Sequence, residues 1–570
     1  MKVAICAINT RFIHSSLAPW YLLSALNESE IEGLDALVLE GTINQSTEEL
    51  TERLLKENAE VLAFSCYIWN IELVLKLVVT IKEKAPNIVI ILGGPEVSYT
   101  PYAWLKKLPQ VEYILAGEGE EPFPKLINYL QNGTGAKEKI SGLCYRNKDG
   151  GIVISPPHIS DKNPPSPYSK EYFETLNSRI TYIETSRGCP FSCTFCLSGK
   201  CTSVHFLPVE RCKKELVLLA NSGTKTIKLV DRTFNCNIKR AKEIISFLLE
   251  EYGNNIPKEV CFHFEMEGDL FDEEFFDILS KAPKGYFQME IGIQSFNEET
   301  LLAIKRSPST SIIQESVHRI LQPRNIHLHI DLIAGLPFET YETFQTSFNK
   351  AYALQADMLQ LGFLKVLSGT ALYDETERDQ YNWKYTPTAP YEIIENTWIS
   401  KKELAELHIV EDTLERLYNS GRFKRTLEYV LKTAQISPFA FFHTFGVYLK
   451  ENAENFAGIS LDIYTEWVYS FCKSLSNISE TVLRDNMVCD RLSSINTGKL
   501  PAVLHIQDKR LKQAAIALAE KHPLKAETKR GTSLLYGAKQ VVYVDYTEKD
   551  PVTGHYKTNQ IPAEELGIFL

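Results

Sequence analysis

The sequence predicts an α/β protein in three parts: an N-terminal doubly wound parallel sheet, a central partial (β/α)6 barrel and a mostly helical C-terminal module. Three observations predict it. From Lys2 to about Leu130, short continuous apolar runs alternate with amphipathic stretches, the mark of βαβ units whose sheet is buried on both faces. A second series of six such runs, each trailed by a helical pattern, fills residues 180–366. After about Tyr373 the pattern turns mostly helical and ends with two strand-like segments, PAVLHIQ and KQVVYVDYT. At 570 residues the chain is too long for one core and should divide into about three or four domains.

The first sheet is expected from VAICAIN (3–9), LDALVLEG (34–41), EVLAFSCY (60–67), NIVIILGG (87–94) and VEYILAGEG (111–119). Ligands of such sheets bind beyond the carboxyl ends of the strands. Those ends read N-T-R-F-I-H-S-S, S-C-Y-I-W-N, G-G-P-E-V-S and G-E-G-E-E-P, small or polar, with glycines that let a backbone approach a ligand. A sizeable ligand across that edge is the expectation. Residues 140–155 read as a hairpin turning at Lys148-Asp149-Gly150-Gly151, and the proline-rich stretch after it reads as a linker. The second series is ITYIETS (180–186), TIKLVD (226–231), EVCFHFEME (259–267), YFQMEIGIQS (286–295), HLHIDLIAGL (327–336) and MLQLGFLKV (358–366). The expected division is 1–140, 141–175, 176–373 and 374–570.

The composition, 44% hydrophobic and 23% charged, is ordinary for a globular protein. A net charge of -11 argues against general nucleic-acid binding. The stretch 509–531 is locally basic, but its charges are mixed and few aromatics interleave, so a solvated amphipathic helix is preferred over an RNA-binding one. The N-terminal apolar run is too short for a signal peptide and no segment is long enough to span a bilayer, so a reducing cytoplasm is expected. Of 12 cysteines only three are grouped; others, such as Cys66, Cys144, Cys472 and Cys489, are scattered as core thiols usually are.

The grouped three, Cys189, Cys193 and Cys196, stand in T-S-R-G-C-P-F-S-C-T-F-C-L-S with C-x3-C-x2-C spacing, on the loop after the first strand of the second series. A structural zinc site, with Cys201 or His205 as fourth ligand, is the bland alternative. Such sites usually pair two separated knuckles, and no second knuckle follows. Three thiolates on one short loop instead suit three irons of a cubane, with one iron left open. This loop at the head of a six-unit partial barrel resembles the radical S-adenosylmethionine (SAM) superfamily. The resemblance implies a [4Fe–4S] cluster whose open iron chelates SAM, and reductive cleavage to a 5′-deoxyadenosyl radical. G-I-Q-S-F-N-E-E-T-L-L-A-I-K-R and I-D-L-I-A-G-L-P are similar to segments of the coproporphyrinogen-oxidase-like branch. By that resemblance Gln294 and Asp331 bind the ribose hydroxyls and Arg306, read as lying on a helix with Lys305, the methionyl carboxylate; the residue chemistry suits each role. In place of a Gly-Gly-Glu-like segment stands L-V-D-R-T-F-N, which leaves Asp231 to receive the methionyl amine. Glu265 aligns with the family's acidic position on the third strand.

The N-terminal sheet, with I-L-G-G-P-E-V-S and G-E-G-E-E-P-F-P-K-L, resembles the cobalamin-binding domain of cobalamin-dependent radical enzymes, and the C-terminal module resembles that of an uncharacterised subgroup. The resemblance implies cobalamin along the strand ends, near Gly93, Gly94, Gly117 and Gly119, with Ser65 and Ser98 as hydrogen-bonding groups. D-x-H-x-x-G, the segment that supplies an axial imidazole in some corrinoid proteins, is replaced by N-T-R-F-I-H. His14 is therefore the candidate lower ligand, though packing or capping is its expected role. The implied activity is methylation of an unactivated substrate carbon, with a flavodoxin or ferredoxin-type electron donor. A cobalamin-assisted rearrangement or oxidation, and RNA modification through the C-terminal module, stand as alternatives. No residue is assigned to the substrate's own chemistry.

Overall fold

The computed structural model describes residues 1–570 except 134, 201–202, 308, 377–380, 453–457 and 526. It divides into two compact units, one of Met1–Met266, Ile304–Arg306 and Leu364–Ile394, the other of Glu267–Ala303, Ser307–Phe363 and Glu395–Leu570. The boundary runs through the second series of strands.

In the first unit, β1 (Lys2–Asn9), β2 (Asp35–Thr42), β3 (Val61–Ser65), β4 (Val89–Gly93), β5 (Tyr113–Leu115), β6 (Leu143–Arg146) and β7 (Ile152–Val153) form one sheet in the order β2-β1-β3-β4-β5-β6-β7. The first five strands are parallel, and β3 is buried at every residue, as an apolar run in a two-sided sheet must be. The order reverses between β1 and β3, which makes their carboxyl ends the topological switch point where such sheets receive ligands. The hairpin of β6 and β7 does not stand apart. It extends this sheet, antiparallel to β5, and Asn147 caps its turn by accepting from the Gly151 and Asp149 amides. The proline-rich stretch is laced to the loop after β5 through a Gly117–His158 bridge.

The same unit holds the start of the second series: β8 (Thr181–Ile183), the short β9 (Ser186–Arg187) paired with β10 (His205–Phe206), β11 (Thr226–Leu229) and β12 (Cys261–Met266). Strands β8, β11 and β12 run parallel, with Lys228 in register with Tyr182 and His263.

The second unit holds β13 (Phe287–Gln294), β14 (His327–Ala334) and β15 (Met358–Phe363), again parallel. Alternation sorts their faces. Ile291 packs toward Ile313 of the Thr310–Leu321 helix, while Glu290, Gly292 and Gln294 take the opposite, half-exposed face. The remainder is mostly helical: Lys401–Leu414, Lys424–Ala434, Pro438–Asn452, Leu461–Ser474 and Glu480–Ser494. Phe441, Phe442 and Phe445 of the third of these are fully buried.

Two C-terminal expectations are corrected. PAVLHIQ is no strand: Ala502–Leu504 forms a 3-10 turn whose Leu504 carbonyl accepts from buried Arg484. The hairpin partner of Gln540–Asp545 is Arg530–Leu535, which starts at the end of the basic stretch, and Asn559–Pro562 completes a three-stranded antiparallel sheet. The basic helix Arg510–Lys521 buries Ala514 and Leu518, and its flanking cations are paired: Arg510 with Asp508, Lys521 with Glu565, Arg530 with Asp545.

Candidate functional site

The three-cysteine loop follows β8 and β9. Its base is fixed by Asp231, just past β11, whose carboxylate is buried and accepts from the Thr185 amide at 3.0 Å, the Thr185 hydroxyl at 2.6 Å and the Ser186 hydroxyl at 2.5 Å. Burial pushes its pKa up while these donors and Arg240 draw it down. Expected to receive an amine, Asp231 is instead engaged by the loop itself. Gly188, at φ +91°, makes the turn into Cys189; a Cβ there would lie 2.5 Å from the Ser203 carbonyl.

Cys189 and Cys193 are buried and Cys196 is half-exposed. The Thr194 amide donates to the Ile304 carbonyl, and the Leu372 amide to the Thr194 carbonyl, which tie the loop from two sides. Thr233 Oγ1 lies 3.5 Å from Cys189 Sγ. Arg306 is not on a helix: Glu298–Ala303 ends before it, Lys305 turns left-handed at φ +58°, and the Arg306 guanidinium comes 3.7 Å from Cys193 Sγ. Burial raises the Cys193 thiol and Arg306 opposes it. Among the described residues, the group of three metal-type ligand atoms lying within 4.8 Å of one another is Glu290, His329 and Asp331. Of the alternative zinc ligands, His205 is bonded to Asn163 at 2.9 Å, and Cys201 lies outside the described residues.

Glu265 is half-exposed on β12. In the second unit, Gln294 closes β13 at a bulge with φ +70°, a left-handed conformation costly for a side-chain-bearing residue. Its amide folds back over Gly292, where a Cβ would lie 2.1 Å from Gln294 Nε2, and its buried Oε1 has no hydrogen-bond partner among the described residues. On β14, Asp331 lies 3.0 Å from His329 Nε2, and His329 Nδ1 is 3.5 Å from Glu290. Burial raises Asp331 and His329 lowers it. Behind Gln294, buried Glu339 accepts from Ser295 at 2.6 Å and Ser347 at 3.0 Å; burial pushes it to about 7.

At the carboxyl edge of the N-terminal sheet, the glycines serve the protein's own backbone first. A Cβ on Gly94 (φ +103°) would lie 2.6 Å from the Cys66 carbonyl, and one on Gly117 (φ +89°) 2.2 Å from that of His158. Gly119 faces the Leu22 side chain, and Gly93 has only ordinary contact. Ser98 donates to the Gly94 carbonyl at 2.7 Å and accepts from the Gly117 amide; Ser65 is buried. His14 Nδ1 lies 2.6 Å from the Tyr182 hydroxyl, and burial lowers its pKa. Beside exposed Arg11, the edge presents apolar side chains to solvent: Phe12 (64%), Ile13 and Trp69 (45%), the last stacked on Tyr67 at 4.3 Å. Asn70, which sequence reasoning passed over, clasps β1 and β3 by donating to the Ile8 and Ser65 carbonyls. Exposed rings beside a switch point are the informative exception on a protein surface, and they fit a large flat ligand.

Three family descriptions match the chain: "B12 binding domain" over residues 4–127, "Radical SAM superfamily" over 183–351, and "Protein of unknown function (DUF4080)" over 379–542. The chain carries a B12-binding domain and a radical SAM domain, followed by the DUF4080 region. It is 28% identical over 355 residues to the cobalamin-dependent radical SAM methyltransferase TokK of Streptomyces tokunonensis, a match covering 58% of this chain and 50% of TokK. It thus spans about half the length of that relative. Two solved structures share its fold. TsrM from Kitasatospora setae, a radical S-adenosylmethionine methyltransferase with cobalamin and a [4Fe-4S] cluster bound, has a TM-score of 0.55 at 20% identity, covering 66% of this chain and 75% of TsrM. OxsB with aqua-cobalamin and S-adenosylmethionine bound has 0.58 at 14%, covering 92% and 82%. No helix among the described residues is long and apolar enough to cross a membrane.

Proposed function

We propose that this B12-binding radical SAM protein is an enzyme that reductively cleaves SAM at a [4Fe–4S] cluster and, with cobalamin, methylates an unactivated carbon of its substrate. The observation that carries the reading is the loop of residues 185–199: three thiols at C-x3-C-x2-C spacing, on a tethered base, with the Arg306 guanidinium 3.7 Å from Cys193. When bound, the cluster supplies the electron that cleaves SAM, and cobalamin carries the methyl group. Cys189, Cys193 and Cys196 would hold the cluster through their thiolates, three protein ligands that would leave room for the cosubstrate's amine and carboxylate. Arg306 pairs with that carboxylate, a bidentate role suited to guanidinium. Gln294 Oε1 and the Asp331 carboxylate accept from the ribose hydroxyls, and Glu265 supplies the acidic position of the third strand. Asp231 holds the loop.

At the N-terminal edge, Phe12, Ile13 and the Trp69–Tyr67 stack give the macrocycle an apolar surface. The strand ends around Ser65, Gly93, Gly94, Ser98, Gly117 and Gly119 border it. His14, bonded through Nδ1 to the Tyr182 hydroxyl, is read as packing at this edge rather than as a ligand. A flavodoxin or ferredoxin-type donor in a reducing cytoplasm suits a chain whose described cysteines are free thiols. The test is anaerobic reconstitution with an iron count. Cys189→Ala, Cys193→Ala and Cys196→Ala should each abolish cluster absorbance and 5′-deoxyadenosine release, whereas Cys472→Ala, in the core of the C-terminal helices, should keep both. A triple cysteine variant that still loaded iron and cleaved SAM would refute the reading.

A further inference from the structure

Arg187 stands two residues before the first cluster cysteine, and its side chain points away from the loop. The guanidinium meets three carboxylates: Glu184 at 2.8 Å, Glu118 at 3.3 Å, and Glu120. Its carbon lies 5.2 Å from the centre of the Tyr21 ring, and its side chain is 17% exposed. Glu184 follows β8, but Glu118 and Glu120 belong to G-E-G-E-E-P, the loop after β5 of the N-terminal sheet. That loop is itself fixed, since the Glu118 amide donates to the His158 carbonyl and the Ser160 amide to the Glu118 carboxylate. A second bridge runs the same way. In the segment 364–394, Leu372 binds the Thr194 carbonyl of the cluster loop, while the Tyr391 hydroxyl donates to Glu96 of G-G-P-E-V-S.

One carboxylate would neutralise a buried arginine. Three leave surplus negative charge in a poorly solvated place, which adds little stability. Glu184 is accordingly pushed up to about 7 by burial. What such a cluster does supply is geometry, because a planar guanidinium with its donors taken from three sides has one orientation. We infer that Arg187 is a positioning residue: through Glu118 and Glu120 it fixes the strand-end loop of the B12-binding sheet against the cysteine loop, and so sets the separation of the two cofactor sites. The inference rests on the function proposed above. It gives the acidic residues of G-E-G-E-E-P a task at the cluster loop rather than at the macrocycle.

The test uses the full chain and three variants, Arg187→Gln, Glu118→Gln/Glu120→Gln, and their combination. In the cofactor-free chain, amide exchange at 117–121 and 185–190 should quicken together in every variant. After reconstitution, each should retain its iron and cobalamin. The spread of cobalt-to-cluster distances from pulsed electron paramagnetic resonance should widen, and the ratio of S-adenosylhomocysteine to 5′-deoxyadenosine should fall about tenfold, as misplaced reacting groups do. The combined variant should be no worse than Arg187→Gln alone, because all three changes remove one contact. Unchanged exchange and distances, or additive losses, would overturn the inference, as would a parallel fall of both products with loss of iron. A wild-type chain that took up no cobalamin would instead sink the proposed function, and the exchange data would tell the two failures apart.

Discussion

The loop of residues 185–199 is held by directional bonds, whereas the carboxyl edge of the N-terminal sheet offers apolar area. In the loop, Asp231 alone receives three donors, Gly188 makes a turn that other residues resist, and Ile304 and Leu372 tie the backbone. At the edge, the polar groups are consumed internally: Ser98 by Gly94 and Gly117, Asn70 by Ile8 and Ser65, His14 by Tyr182. Phe12, Ile13 and Trp69 stand exposed there. The difference follows from what each is proposed to hold. A cubane is bound by a few short bonds that tolerate little misplacement, whereas a macrocycle is bound by area.

The comparison breaks most sharply at Asp231. Asp231→Asn keeps the shape but turns an amide donor toward donors of Thr185 and Ser186, and should cost about 2–3 kcal/mol in unfolding measurements. It should also lower iron retention. No macrocycle contact is involved, so cobalamin uptake should hold; loss of cobalamin with iron intact would reverse the assignment of the two surfaces.

Glu339 tests whether the second unit's Gln294 bulge is tethered in the same directional way. Its folded pKa, about 7, lies above the unfolded value of 4.5, so its contribution is complete below pH 4.5 and is lost as pH rises through about 7. The loss is at most about 3 kcal/mol. Glu339→Gln should flatten that decline in stability between pH 4.5 and 7, seen by denaturant titration at several pH values. A decline of the same depth in the variant would place the titrating group elsewhere.

Gly292→Ala is a finer cut. Its methyl group would displace the Gln294 amide, and SAM affinity should weaken by about 1 kcal/mol with cluster absorbance intact. Gln294→Ala should match it, and unequal effects would separate the glycine from the amide. The smallest effect is expected from His14→Ala. With His14 read as a packing residue against Tyr182, the base-off cobalamin spectrum should not change, and loss of a nitrogen hyperfine signal would make His14 the axial ligand.

Much of this was legible in the sequence for a physical reason. All five parallel strands of the first sheet and all six of the second series formed where apolar runs stood, because a strand packed on one face or both must carry apolar residues there. The cysteine loop declared itself because chelation is local in the chain. What escaped was distributed. The tasks of Gly94 and Gly117 depend on Cys66 and His158, far off in sequence, and Asp231's partners depend on the parallel registration of β8 and β11. Arg187 read as one more charge in T-S-R-G-C until the fold brought Glu118 and Glu120 to it. PAVLHIQ alternated like a strand, but its buried Leu504 serves a turn.

The central claim is that one chain uses SAM in two ways, and the SAM-derived products of the intact protein test it most directly. Reconstituted anaerobically with iron, sulfide and hydroxocobalamin, and reduced through flavodoxin, it should release both 5′-deoxyadenosine and S-adenosylhomocysteine in a mass-spectrometric assay. 5′-Deoxyadenosine alone, from protein with its cobalamin bound, would contradict methyl transfer and leave only the radical domain's chemistry.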